Sequence, residues 1–246
     1  MQPDQTTHPI RRLALIVIAC AALFALIEPD RSMAVAYDGS GTGTLTITGI
    51  AGGGSGLAIV GIEITPLTLE SASGAAMATA QGSSTIFAAN PSNMIMGDRL
   101  ELSSNAFGNA PSPEFSTATS LVDGTIQIDN LAAIAATISF DLLWAISSDS
   151  NAPEPAGFAT SSARIQASST NTVHLDQTVS SLSLLGDGLV QLGPTTTSFA
   201  LTVGAGNSDA LDLSLVVDGF AEVPEPSTCA ILLGLAGAMG ITQRRR

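Results

Sequence analysis

Apolar residues recur at every second position through much of the chain between Tyr37 and Glu222, and this period constrains the fold more than any other feature. In TLTITGI, Thr44 to Ile50, Leu45 and Ile47 fall on one side and Thr44, Thr46 and Thr48 on the other. A period of two sends alternate side chains to opposite faces of a strand, whereas a helix needs apolar residues every third or fourth position. GLAIVGIEITPLTLE, Gly56 to Glu70, places Val60, Ile62 and Ile64 on one face and Glu63 on the other. Pro66 interrupts that run, which implies an edge, a bulge or a turn, because proline donates no ladder hydrogen bond. DRLELSS, DGTIQIDN, ATISFDLLWAISSD, TNTVHLDQTVSSLSLL, TSFALTVGAG and DALDLSLVVDGF continue the pattern. Gly, Asn, Asp and Ser cluster between these runs, as turns require. NLAAIAATI, from Asn130, is short and Ala-rich and reads as a connection into the next strand.

Strands with turns at this spacing predict an all-β fold: one sandwich-like body, immunoglobulin-like or jelly-roll, over residues 37–222. An N-terminal signal helix is expected in residues 1–36, and a short hydrophobic helix in residues 223–246. The body is strongly acidic. The span from Tyr37 to Pro226 holds Arg99 and Arg164 against eighteen carboxylates, a formal charge of −16, and the chain has no lysine. Phosphate backbones are bound by clustered cations, so nucleic acid is excluded as a partner. The two cysteines, Cys20 and Cys229, lie in the terminal segments, so the body can hold neither an internal disulfide nor a Cys-based zinc site.

The N-terminus reads HPIRRLALIVIACAALFALIEPDRSMAVAYDGS. Arg11 and Arg12 supply a positive start, and Leu13 to Ile27 an uncharged apolar run. Ala34 and Ala36 then put small residues three and one positions before Tyr37, the pattern of a signal peptidase site. The apolar run is shorter than the roughly 20 residues a bilayer span needs. VIAC, ending at Cys20, has the form of a lipoprotein box, but the chain stays apolar beyond it to Ile27.

The C-terminus is a second address: VPEPSTCAILLGLAGAMGITQRRR. Pro224 and Pro226 keep the chain extended around Glu225. Thr228 to Ile241 is apolar and rich in Gly and Ala, and Arg244, Arg245 and Arg246 follow. A short apolar segment backed by arginines is a stop-transfer shape, with the charges held on the cytoplasmic side. The order Pro-Glu-Pro, apolar segment, Arg cluster resembles the PEP-CTERM sorting signal of Gram-negative bacteria. The resemblance covers Val223 to Arg246 only. It implies transient inner-membrane insertion and cleavage near Pro224, Glu225 and Pro226 by an exosortase, a membrane-embedded cysteine transpeptidase. Bearers of the signal are typically exported and accompany exopolysaccharide and biofilm production. A second Pro-Glu-Pro, at Pro153 to Pro155, has no apolar segment or Arg cluster after it and reads as a loop.

The body offers little catalytic chemistry. His174 is its only histidine, and a regular strand would put it on one face with Asp176. No Gly-x-Ser-x-Gly elbow and no His-Glu-x-x-His motif accompanies it, so no enzyme activity is expected. Sugar sites stack rings on Trp or Tyr, and the body has one of each, Trp144 and Tyr37, with Trp144 read as core. For Ca²⁺, carboxylates in or near turns are the weak candidates: Asp149 with Asn151, Asp187, and Asn207 with Asp209 and Asp212. Thr42, Thr44, Thr46 and Thr48 form a short outward row of the kind that orders water in ice-binding proteins, a remote option.

The expectation is therefore an exported protein without a cofactor, handled by signal peptidase and exosortase. Its role would be structural or adhesive, at the cell surface or in the exopolysaccharide matrix. The alternative is a carbohydrate- or Ca²⁺-binding module of that matrix.

Overall fold

The computed structural model describes residues 34–111, 113–152, 157–183 and 188–223. The expected signal helix and C-terminal helix fall in residues 1–33 and 224–246, outside the described residues. Among the described residues no helix is long and apolar enough to cross a membrane. The strands are β1 (Val35–Gly52), β2 (Leu57–Glu63), β3 (Leu67–Ala72), β4 (Met77–Phe87), β5 (Arg99–Ala110) and β6 (Phe115–Asn130). They continue with β7 (Ala136–Asn151), β8 (Phe158–Ser169), β9 (Thr172–Leu182), β10 (Val190–Val203) and β11 (Asn207–Glu222).

All ladders are antiparallel and build two sheets, β10-β7-β1-β5-β4 and β2-β6-β11-β8-β9. β3 extends the β2 edge: β2 pairs with Gly124–Asn130 of β6 and β3 with Ser116–Leu121. Pro66 lies between β2 and β3, so the interruption is a break that divides one edge into two short strands, the setting in which a strand tolerates proline. The expected sandwich is present, with its own strand plan. β1 is central in its sheet, where the first strand of an immunoglobulin fold lies at an edge, and there are more strands than the eight of a jelly roll.

The core lies between the sheets. β7 contributes Ile138, Phe140, Leu142 and Ile146, and β11 contributes Leu211, Leu213, Leu215 and Val217. Burying each such side chain contributes about 1.5–3 kcal/mol. Elsewhere the inward positions are small: Gly39, Gly41 and Gly43 in β1, and Ala159, Ser161 and Ala163 in β8. A Cβ on Gly41 would stand 2.5 Å from Leu215 Cδ1, and one on Gly39 2.6 Å from Val217 Cγ1. The branched side chains of β11 fill the space those glycines leave. The alternation therefore continues through stretches where no large apolar residue announces it.

Tyr37 fills one end of this interior and is only 2% exposed. Its ring occupies the space beside two glycines, Gly108 and Gly219. Its hydroxyl faces Ser116 Oγ without closing a hydrogen bond, and both oxygens are sealed from solvent without a partner. Burial pushes the phenol up to about 12. The folded state thus holds the proton more tightly than the unfolded chain. That contribution is complete below about pH 10 and is lost as the pH rises toward 12. Tyr37→Phe keeps the ring and removes the unpartnered oxygen. It should raise stability at pH 7 by about 1 kcal/mol and weaken the alkaline loss, as read by urea denaturation at pH 7 and pH 11.

Asn130, at the end of β6, is fully buried and fully used. Its Nδ2 donates to the carbonyls of Ile134, Val203 and Gly204, and its Oδ1 accepts from Ala132 N–H. This side chain shapes the Leu131–Ala135 connection, which enters β7 as expected, and ties it to the end of β10.

Candidate functional site

Cross-strand register assembles a mixed aromatic and polar surface on the outer face of the second sheet. Phe115, Glu222 and Phe158 lie abreast on β6, β11 and β8. The next outward row is Thr117, Phe220 and Thr160, and the one after it Thr119, Asp218 and Ser162. Side chains of one face stand about two residues apart along each strand, so these rows form one continuous patch. The rings of Phe158 and Phe220 lie 6.0 Å apart, tilted by 55°. Beside them Thr117, Thr119, Ser162, Asp218 and Phe220 line a shallow depression of about 180 Å³. That is below the usual range of drug-sized pockets, roughly 300–1,000 Å³, and suits one ring-sized group at a time.

The polar groups of the depression are only partly engaged. Thr117 Oγ1 donates to the Gly219 carbonyl and Thr160 Oγ1 to the Ser181 carbonyl, which leaves both oxygens as acceptors. The side chains of Thr119, Ser162 and Asp218 have no partner among the described residues. Among the described residues no free cation stands nearby. Arg164 holds Asp176 through two bonds, Nε to Oδ1 at 2.8 Å and a terminal nitrogen to Oδ2 at 2.7 Å. Arg99, on the other sheet, pairs with Glu101 at 2.6 Å and lies 4.6 Å over the Phe87 ring. Such a face can stack an apolar ring surface and exchange hydrogen bonds with hydroxyls, and it repels anions.

The His174–Asp176 pairing expected of a regular strand does not occur. Ser168 pairs with Val173 and Ala167 with Leu175, so His174 is the extra residue of a β-bulge. The bulge reverses the faces: Val173 and Asp176 both point outward, and Asp176 is taken by Arg164. His174 instead stacks on Phe199 of β10 at 4.4 Å, and Phe199 stacks on Phe140 at 5.7 Å. The imidazole closes the gap between the two sheets at the β9–β10 edge. Burial lowers its pKa, partly offset by the Asp209 carboxylate, so it stays neutral near pH 7. Its Nε2 lies 3.2 Å from Ser169 Oγ. Trp144 is core, as expected, with its indole N–H donating to Thr197 Oγ1 at 3.1 Å.

Among the described residues, the carboxylates singled out for Ca²⁺ lie within strands. Asp149 and Asn151 belong to β7, with Asp149 directly opposite Asp38 of β1. Asn207, Asp209 and Asp212 belong to β11. Asp209 accepts from Thr170 Oγ1 and from the Ala210 N–H, and Asp212 accepts from Thr125 Oγ1. Asp187 lies outside the described residues. Among the described residues no three carboxylate, His or Cys groups gather around a point where one ion could bind. Thr42, Thr44, Thr46 and Thr48 do point outward from β1. Their row is one strand wide, because Glu101 and Leu143 flank Thr44 while Arg99 and Asp141 flank Thr46.

Of the processing residues, Ala34 is exposed and precedes β1, whereas Ala36 lies within it. Pro224, Glu225, Pro226 and Arg244 to Arg246 lie outside the described residues, as does the second Pro-Glu-Pro. β11 runs to Glu222, and the Val223 N–H donates to the Glu114 carbonyl at 3.0 Å.

Residues 222–246 match a family model described as the PEP-CTERM protein-sorting motif. The motif thus begins at the last residue of β11 and contains Pro224, Glu225, Pro226 and the three terminal arginines. It marks the chain for export to the cell envelope or surface with exosortase-dependent processing. No curated protein and no solved structure is similar to the chain.

Proposed function

We propose that this protein is a structural or adhesive component of the cell surface or exopolysaccharide matrix, and that its body holds neutral polysaccharide on the outer face of β6, β11 and β8. The sorting motif supports delivery to that location. The adhesive role rests on one observation, the Phe158–Phe220 ring pair set beside the hydroxyls of Thr117, Thr119 and Ser162 and the Asp218 carboxylate. A pyranose has an apolar face that packs on an aromatic ring and a rim of hydroxyls that bond to carboxylates and threonines. The acidic surface, on which both described arginines are paired with carboxylates, selects against uronic-acid and sulfated chains. The reading assigns binding to the body and no reaction.

The test is titration of the exported protein with neutral and anionic polysaccharides by calorimetry. Neutral chains should bind, acidic ones should not, and Phe220→Ala and Asp218→Asn should each weaken binding by about tenfold, equivalent to about 1.4 kcal/mol. Equal affinity of the wild type and both variants, or no binding of any neutral polysaccharide, would sink the adhesive role.

A further inference from the structure

We propose that signal peptidase releases this chain between Ala34 and Val35, two residues earlier than the Ala34/Ala36 spacing indicates. The inference rests on the export reading and adds the position of the mature N-terminus. Two frames place small residues three and one positions before a cut: Ala34 with Ala36, ahead of Tyr37, and Ser32 with Ala34, ahead of Val35. The peptidase reads an extended chain, so both frames are open to it. The two products differ in whether they can complete the fold.

Val35 is part of the core. It is 1% exposed and pairs with Ala110 as the first rung of the β1–β5 ladder. Ala36 pairs on both sides, with Asn109 and with Asn151. The Val35 methyl fills the space beside Gly157 so closely that a Cβ there would overlap it, and the same Cβ would stand 3.6 Å from Val223 Cγ2. Val223 is itself 4% exposed. Val35, at the start of β1, and Val223, just past the end of β11, therefore close the same end of the sandwich around Gly157.

A cut before Tyr37 removes Val35, uncovers Gly157 and Val223, and strips Ala110 and Asn151 of their partners. It also places a new ammonium group on Tyr37, which is 2% exposed, and burying an unpaired charge is costly. A cut before Val35 places that charge at the strand end, where Ala34 is exposed. The strand then keeps every rung.

The experiment is N-terminal sequencing and intact-mass analysis of the full chain exported by a Gram-negative host, as wild type, Ser32→Leu and Ala36→Leu. The wild type should begin Val35-Ala36-Tyr37. Ser32→Leu should abolish that product, and Ala36→Leu should leave it unchanged. A mature chain beginning at Tyr37, kept in Ser32→Leu and lost in Ala36→Leu, would overturn the proposal and leave export intact. A chain retaining Met1 would overturn both.

Discussion

Gly219→Ala should cost about 3 kcal/mol, the upper end of what one extra carbon does in a packed interior. The added Cβ would fall inside the Tyr37 ring, overlapping Cδ2, Cε2 and Cγ. Those atoms are the body of a buried ring, not the end of a flexible chain. Retreat is blocked on the far side, where a Cβ on Gly108 would already stand 2.5 Å from the phenol oxygen. The effect should appear as a lower midpoint in guanidinium denaturation with an unchanged slope. A double-mutant cycle separates the cause. Tyr37→Ala alone should cost about 3–5 kcal/mol, as aromatic-to-alanine changes in cores do, but far less when Gly219→Ala is already present. If Gly219→Ala lies within about 1 kcal/mol of the wild type, this packing account of the Tyr37 end is wrong.

Asn130→Leu is the second large effect, also about 3 kcal/mol, although it keeps the branched shape and adds apolar surface. Asn130 is fully buried and bonds the carbonyls of Ile134, Val203 and Gly204 and the N–H of Ala132. Leucine leaves those backbone groups without their partner, at about 1–3 kcal/mol for the buried Val203 carbonyl and less for the part-buried others. Asn130→Asp keeps the acceptor for Ala132 and loses the donors, so it should also be strongly destabilising. Limited proteolysis gives a local reading: the Leu131–Ala135 connection should become a cleavage site in both variants and resist cutting in the wild type. Equal protease resistance in all three would show that Asn130 does not organise this junction.

How far the sequence reveals the fold depends on what faces inward. β7 and β11 are legible because Ile138, Phe140, Leu142, Leu211, Leu213 and Leu215 alternate with polar residues. β4 and β8 are not, since MATAQGSSTIF and FATSSARIQASS put Ala, Gly and Ser at most inward positions. Their alternation is between small and polar residues, which no hydrophobic period detects, and the large partners come from the facing sheet. The start of β1 is hidden for the same reason by Gly39, Gly41 and Gly43. His174 is the opposite case. Its run alternates cleanly, yet one bulge reverses the faces, and nothing in TVHLDQTV marks an unpaired residue.

The two kinds of functional feature differ in the same way. The sorting signal is legible because it is linear: Pro224 to Pro226, the apolar segment and Arg244 to Arg246 are contiguous, and residues 222–246 match the motif. The aromatic and polar patch is not, because Thr117, Thr160 and Phe220 meet only through the β6–β11–β8 register. Trp144 and Tyr37 are both core, and the rings of the patch are phenylalanines: Phe115 exposed, Phe158 and Phe220 half-buried.

The fate of the tail decides first whether an exosortase sorts this protein. The most direct measurement is intact mass of the protein from its native host, in membrane and secreted fractions, with and without a functional exosortase. The mature species should end near Pro226 and lack Arg244 to Arg246, and loss of the exosortase should leave those arginines on a membrane-held chain. A secreted or surface species that keeps Arg246, or processing that continues unchanged without the exosortase, would contradict the sorting account.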